Sequence, residues 1–313
     1  WLAWPASTSW GSAPNDAGKW AENFCALLLY LTQERGYTCI REITPYNEPS
    51  GSYRGPQNRV VFEDYVHMVR TLDSRLRREG LRDGLLLCVA DDGPVDWYFR
   101  CAKALGDIAD IFSSHCYRFS PEDFDPQIAD FGEMHTAILA QYAPHAQFTC
   151  NEFGTSDFID SHHSGDIDAY ERGLFYARLA VHMLNTGCTA MTAWCLFDQC
   201  YASEKRMCVG LWKYKDEDWQ PRPVYYAWAL ITRFSARGAA IHPGSSDMPE
   251  VNGLALHAGK QGWSIFVTNS SAVEQTVEVD LPRTGEKPFC QYLYSRDTLP
   301  WPGDTPAACS AVD

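Results

Sequence analysis

Gly84-Leu85-Leu86-Leu87-Cys88-Val89-Ala90 is apolar without a break, stops at Asp91-Asp92-Gly93, and gives way to a helical pattern over about residues 95–105. A short run that is apolar at every position predicts a strand buried on both faces, the mark of a parallel sheet covered by helices. The same unit recurs on either side. Upstream, residues 16–35 predict a helix with Trp20, Phe24, Leu27, Leu28 and Leu31 on one face, Asp16 to cap it and Gly36 to end it. A strand over 39–43 then runs into Pro45-Tyr46-Asn47-Glu48-Pro49, and a helix over 59–79 is closed by Gly80. Downstream, strand 110–116 ends at His115-Cys116-Tyr117 and is followed by helix 126–142. Strand 147–150 ends at Asn151-Glu152-Phe153-Gly154, with helix 167–186 after it. Strand 189–195 ends near Trp194, and a last helix covers 223–235.

Polar and aromatic residues gather just after each strand. That is where the active-site face of a (β/α)8 TIM barrel lies, and this α/β barrel is the expected fold class. A doubly wound open sheet is the alternative, but it calls for a glycine-rich phosphate loop after a strand, and none is present. Five strands precede residue 240, with a sixth at residues 1–5, whereas a full barrel has eight. The first two βα units are missing from the pattern and the chain opens on Trp1, so it reads as a partial barrel or a piece of a longer protein. After residue 240 the texture changes to alternation of apolar and polar residues at 251–257, 262–268, 274–280 and 288–295, broken by turn residues, with a Pro-rich coil from Pro300 to Pro306. The expected domains are therefore a partial catalytic barrel over 1–240 and a small antiparallel, sandwich-like β domain over 241–313.

Composition excludes several classes of partner. The 313 residues carry a net charge of −14, which disfavours nucleic acid and anionic membranes. The basic group Arg75, Arg77, Arg78 sits at a helix end beside Glu79 and reads as a solvated face. No apolar run approaches a bilayer span, and no signal peptide is legible, which leaves localisation and oligomeric state open. Aromatic residues make up 13%, including 11 Trp and 16 Tyr, which suits a packed core or a surface that stacks on sugars. Of the 12 cysteines, Cys88, Cys116, Cys150 and Cys195 fall in apolar runs and read as small buried hydrophobes, while Cys200 and Cys208 are open to pairing. No spacing resembles a zinc site, and neither Asp91-Asp92 nor His162-His163 has partners at ligand spacing, so no metal and no cofactor is expected.

Two carboxylates follow strands directly: Glu48 and, 104 residues later, Glu152. Hydrolysing a glycosidic bond with retention needs two carboxyl groups about 5–5.5 Å apart, one protonated and one ionised, and strand ends hold such groups rigidly. Asn47-Glu48-Pro49 after one strand and Glu152-Phe153-Gly154 three strands later resemble the clan A glycoside hydrolases. In that clan the acid/base glutamate ends strand four after an asparagine, and the nucleophile glutamate ends strand seven. Glu-Phe-Gly, with His115-Cys116-Tyr117 at the end of strand six, resembles the cellulase-like family five. The C-terminal β domain is more like families thirty and thirty-nine. The family-five arginine from strand two has no candidate here.

The resemblance implies that Glu48 is the general acid/base, Glu152 the nucleophile, and Asn47 a partner for the sugar 2-hydroxyl. Tyr117 would donate to Glu152, His115 would line the site, and Trp194 would floor the subsite. Trp10 and Trp97 are further sugar-stacking candidates, the second as an outer platform. Each has a plainer reading beside it: His115 as a satisfied core histidine, Tyr117 as a cap on the barrel, and Trp10, Trp97 and Trp194 as core packing. The expected function is a retaining O-glycoside hydrolase cleaving β-linkages in a glycan or oligosaccharide by double displacement. A transglycosylase and an inverting hydrolase remain alternatives among enzymes, and a carbohydrate-binding protein without activity is the alternative from another class.

Overall fold

The structure is a computed structural model that describes residues 2–3, 16–51, 60–117, 125–155, 167–202, 205–280, 289–297 and 310–312. The chain divides into two compact units. The first (Trp1–Cys116, Glu133–Phe153 and Cys188–Thr192) holds a six-stranded sheet in sequential order. Its strands are β1 (Leu2–Ala3), β2 (Glu42–Thr44), β3 (Leu86–Asp92), β4 (Ile111–Cys116), β5 (Gln147–Phe153) and β6 (Cys188–Ala193). The pairs from β1 through β5 are parallel. This is a partial TIM barrel, and its six strands include the one expected at residues 1–5.

The helices form where the periodicity puts them. Asp16 caps α1 (Ala17–Leu29) by accepting from the Lys19 amide at 3.0 Å. A π-helical turn over Tyr30–Glu34 carries α1 to Gly36, so the expected helix is present but changes its winding in the last turn. Helix α2 (Phe62–Arg78) places Glu63 and Asp64 in its first turn and Arg75, Arg77 and Arg78 in its last, matching the helix dipole. Two of the arginines find partners on the helix or at its cap, Arg75 on Glu79 and Arg77 on Asp73. Helix α3 (Val95–Leu105) buries Trp97, Tyr98, Cys101, Ala102 and Leu105. Helix α4 spans Asp125–Tyr142. Strand β4 is buried at all six positions and β3 at six of seven, as strands of a sheet covered on both faces should be, although each buries polar residues at its C-terminal end.

The second unit contains α5 (Tyr170–Asn185), α6 (Pro223–Phe234) and three small sheets. Strands β7 (Gln199–Ala202) and β8 (Lys205–Met207) form a hairpin. Strands β9 (Ala240–Pro243), β10 (Val251–His257) and β11 (Trp263–Asn269) form an antiparallel sheet in the order β11-β10-β9. Its inner face, Leu254, Leu256, Ile241 and Phe266, packs with Val181 and Leu184 of α5. Strands β12 (Phe289–Gln291) and β13 (Ser310–Val312) pair antiparallel. The strand expected at 274–280 is coil instead: Val277 and Val279 stay 39% and 45% exposed, and alternation without a buried face does not stabilise a strand. Within this unit Arg222 bridges Asp168 and Asp198, while Asp198 also accepts from the Gly210 amide at 3.0 Å. Cys200 and Cys208 are both free thiols, and Cys88, Cys116, Cys150 and Cys195 are buried. No helix among the described residues is long and apolar enough to cross a membrane.

Candidate active site

Two irregularities in the sheet build the site. Between β3 and β4 the register moves from Val89↔Phe112 to Asp92↔Ser114, so β3 carries one extra residue around Ala90–Asp91. Between β4 and β5 it moves from Ser114↔Cys150 to His115↔Glu152, so Asn151 is the extra residue of β5. A one-residue shift reverses which side chains face the interior, and bulges of this kind re-aim side chains at strand ends. Backbone strain falls in the same place. Ala90, Asp91 and Glu48 have φ of 73°, 31° and 51°, a region that residues with a Cβ seldom occupy.

The strained loop after β2 is pinned to the end of β3. The Glu48 amide donates to the Asp91 carbonyl at 3.0 Å, and the Ser50 amide donates to Asp92 Oδ2 at 2.6 Å. Asp92 Oδ1 accepts from the Gly93 amide at 2.8 Å. Burial nonetheless pushes the Asp92 carboxyl above its usual range, against the pull of those backbone donors.

His115 is fully buried at the centre. Its Nδ1 lies 3.2 Å from Glu48 Oε1 and 3.7 Å from Glu152 Oε2, and its Nε2 lies 3.3 Å from Asp91 Oδ1. Asp91 Oδ1 also accepts from Asn151 Nδ2 at 3.2 Å. Burial opposes charge on the ring, but hydrogen bonds to Asp91 and Glu48 and the charges of Asp91 and Glu152 outweigh it, and the imidazole is held well above its ordinary range. Side-chain exposure is 13% for Glu48 and 11% for Glu152, so both carboxyl groups reach solvent from a largely dry setting.

Ligand atoms of Glu48, His115 and Glu152 lie within 4.8 Å of one another, close enough to surround a metal ion. Both ring nitrogens of His115 face carboxylate oxygens, and those oxygens can hold N–H groups on the ring as well as share an ion with it.

The structure thus brings Glu48, His115 and Glu152 together, with Asn47 half-buried immediately before Glu48. Asp91 and Asn151 complete the cluster, and neither was a candidate for the catalytic site. Their only signal was position, as polar residues where apolar strands stop. Tyr117 and Trp194 belong to the second unit. Tyr117 is buried there, with its ring against Gly154: a Cβ on that glycine would lie 3.1 Å from Tyr117 Cε1, so the glycine of Glu-Phe-Gly makes room for the ring. Trp194 is half-buried after β6, and its peptide bond to Cys195 is cis. Trp97 is corrected. A sugar platform needs an exposed ring face, but Trp97 is 6% exposed and packs on Phe62 and Tyr65 with centroids 5.2 and 5.3 Å away. Trp10, His162 and His163 lie outside the described residues.

No protein-family model and no curated protein matches the sequence. Solved structures do. SrfJ from Salmonella typhimurium matches with a TM-score of 0.65 at 16% identity, covering 84% of this chain and 61% of that one. An endo-β1,6-glucanase matches at 0.62 and 15%, covering 85% and 58%. An α-L-arabinofuranosidase from Thermotoga maritima matches at 0.58 and 12%, covering 82% and 60%. At such identities the likeness is one of fold, shared with structures that include this glucanase and this arabinofuranosidase. The chain spans about three fifths of the length of each of these structures.

Proposed function

We propose that this chain carries the catalytic centre of a retaining O-glycoside hydrolase, with Glu48 as general acid/base and Glu152 as nucleophile. The observation that supports it most is the approach of the two glutamates, whose oxygens come within 4.8 Å around His115 Nδ1. Retaining enzymes hold their carboxyl groups about 5–5.5 Å apart, whereas inverting enzymes leave about 6.5–9.5 Å for a water.

In this reading Glu48 protonates the departing glycosidic oxygen while a Glu152 oxygen attacks the anomeric carbon. The C–O bond to the leaving group breaks as the ester to Glu152 forms. Glu48, now ionised, takes a proton from the water that attacks the same carbon, and Glu152 leaves. His115 donates toward both carboxyl groups, so the negative charge that passes from one to the other stays beside the same N–H. Asn47 is the partner for the sugar 2-hydroxyl. The substrate is a β-linked glycan or oligosaccharide. Neither nucleic acid nor an anionic membrane is a partner for so acidic a chain.

The test is labelling with 2-fluoro glycoside inactivators, read by intact mass and peptide mapping. An endo-β1,6-glucanase and an α-L-arabinofuranosidase both carry this fold, so the panel spans β-pyranosyl and α-L-arabinofuranosyl reagents. A sugar ester on Glu152, absent in Glu152→Gln, is the expected result. The six-stranded sheet favours one other reading, a carbohydrate-binding protein without turnover. That reading predicts measurable sugar affinity with no adduct from any reagent.

A further inference from the structure

We propose that Asp91 is a positioning residue of this site: through His115 Nε2 it turns the ring so that Nδ1 points at both glutamates, and it keeps an N–H on each nitrogen. The inference deepens the hydrolase reading and rests on it for its catalytic meaning. Three observations carry it. Asp91 is fully buried and directs a single oxygen, Oδ1, at both His115 Nε2 and Asn151 Nδ2, while Oδ2 has no hydrogen-bond partner among the described residues. A buried carboxylate so placed is costly unless a cation compensates it, and the His115 ring is the neighbour that can carry the charge. The strained backbone at Ala90 and Asp91 lies within the extra residue of β3, so the local chain is distorted in placing this carboxylate.

The consequence is chemical. With a proton on Nε2 held by Asp91, the Nδ1 proton lies between Glu48 at 3.2 Å and Glu152 at 3.7 Å. That proton can follow the negative charge between the two carboxyl groups without the ring turning. The ionisable groups around the ring are Glu48 from the loop after β2, Asp91 and Asp92 from β3, and Glu152 from β5. The thiols of Cys88 and Cys150 are kept neutral by burial and add no charge.

The experiment is nitrogen-15 NMR of histidine-labelled full chain, with the His115 signals assigned by their loss in His115→Gln. The wild type is expected to show both ring nitrogens protonated at neutral pH. In Asp91→Asn the ring is expected to lose a proton as pH rises through the ordinary imidazole range, and Asp91→Glu should restore the cation. A neutral ring in the wild type overturns the proposal, and so does an unchanged titration in Asp91→Asn. If Asp91→Asn does not fold, the wild-type spectrum decides alone. These readings need no substrate, so absence of hydrolysis would sink the hydrolase reading and leave this one to be judged separately. Where hydrolysis is present, the Asp91→Asn pH–rate profile should gain an ionisation near neutrality that the wild type lacks.

Discussion

Asn151 Nδ2 donates to Asp91 Oδ1 at 3.2 Å, joining the residues at which β3 and β5 each depart from regular register. Between them lies β4, which supplies His115, so the two irregular strands meet at the centre of the site. Asn151 is tied further by Thr149 Oγ1, which donates to Asn151 Oδ1 at 3.0 Å, and by its own amide donating to Ser113 Oγ at 3.2 Å. Removing the side-chain amide strips Asp91 of a charge-assisted hydrogen bond, a loss of about 1.5–3 kcal/mol. Asn151→Ala should therefore lower the unfolding free energy by that amount, read as a lower urea midpoint at unchanged slope. A variant as stable as the wild type would mean that the link is incidental to the bulges.

Glu48 and Glu152 should separate kinetically although they occupy one cluster. General acid assistance is worth about 10²–10⁴-fold and matters most for a poor leaving group. Glu48→Ala is expected to hydrolyse glycosides of basic alcohols that much more slowly, while an activated aryl glycoside still forms its ester. Glu152→Gln should lose turnover on every substrate. The check is kcat/KM against leaving-group pKa for both variants. Equal dependence on the leaving group would refute the assignment of roles.

Much of the architecture is local and so was readable. The helix expected over 95–105 is α3, residue for residue, because an apolar face every three to four positions and a proline at its start need no tertiary information. The strand ends carrying Glu48, His115 and Glu152 were legible for the same reason. What escaped was relational. Register belongs to a pair of strands, so the extra residues near Asp91 and at Asn151 leave no mark in either sequence alone. Trp97 follows a strand as a sugar platform would, but the rings of Phe62 and Tyr65, distant in sequence, cover it. The hairpin β7–β8 and the strand β9 were also unforeseen, since neither shows sustained alternation.

The charge on His115 makes a signed prediction for stability. Its folded value is raised well above 6.5 by Asp91, Glu48 and Glu152, despite burial. A group raised on folding contributes fully below its unfolded value and loses that contribution as pH rises through the folded one. The stability gap between wild type and His115→Gln should be widest between about pH 5 and 6.5 and narrow above neutrality. Urea denaturation at half-unit pH steps would measure it. A gap that stays constant or widens with pH would mean that the ring is buried neutral.

Arg82 tests what holds the first unit beneath the site. Its guanidinium is almost fully buried and makes four hydrogen bonds: Nε donates to Asp73 Oδ1 at 2.8 Å, Nη1 to the Leu85 carbonyl at 2.6 Å, and Nη2 to the Ile108 carbonyl and Asp110 Oδ2, both at 2.7 Å. Asp110 Oδ2 also accepts from the Leu87 amide at 2.8 Å, so one arginine joins α2, the start of β3 and the approach to β4. Taking away one partner of a buried pair costs about 3–5 kcal/mol when the other charge is left uncompensated, an upper bound here because Asp73 keeps Arg77 and Asp110 keeps the Leu87 amide. Arg82→Met should lose stability by urea denaturation at neutral pH, up to that amount. Arg82→Lys should recover only part of it, because an ammonium cannot present the planar fork that meets four acceptors. An Arg82→Met variant within about 1 kcal/mol of the wild type would show that the pair is no better than an apolar replacement, the outcome found when packing substitutes well for buried charge.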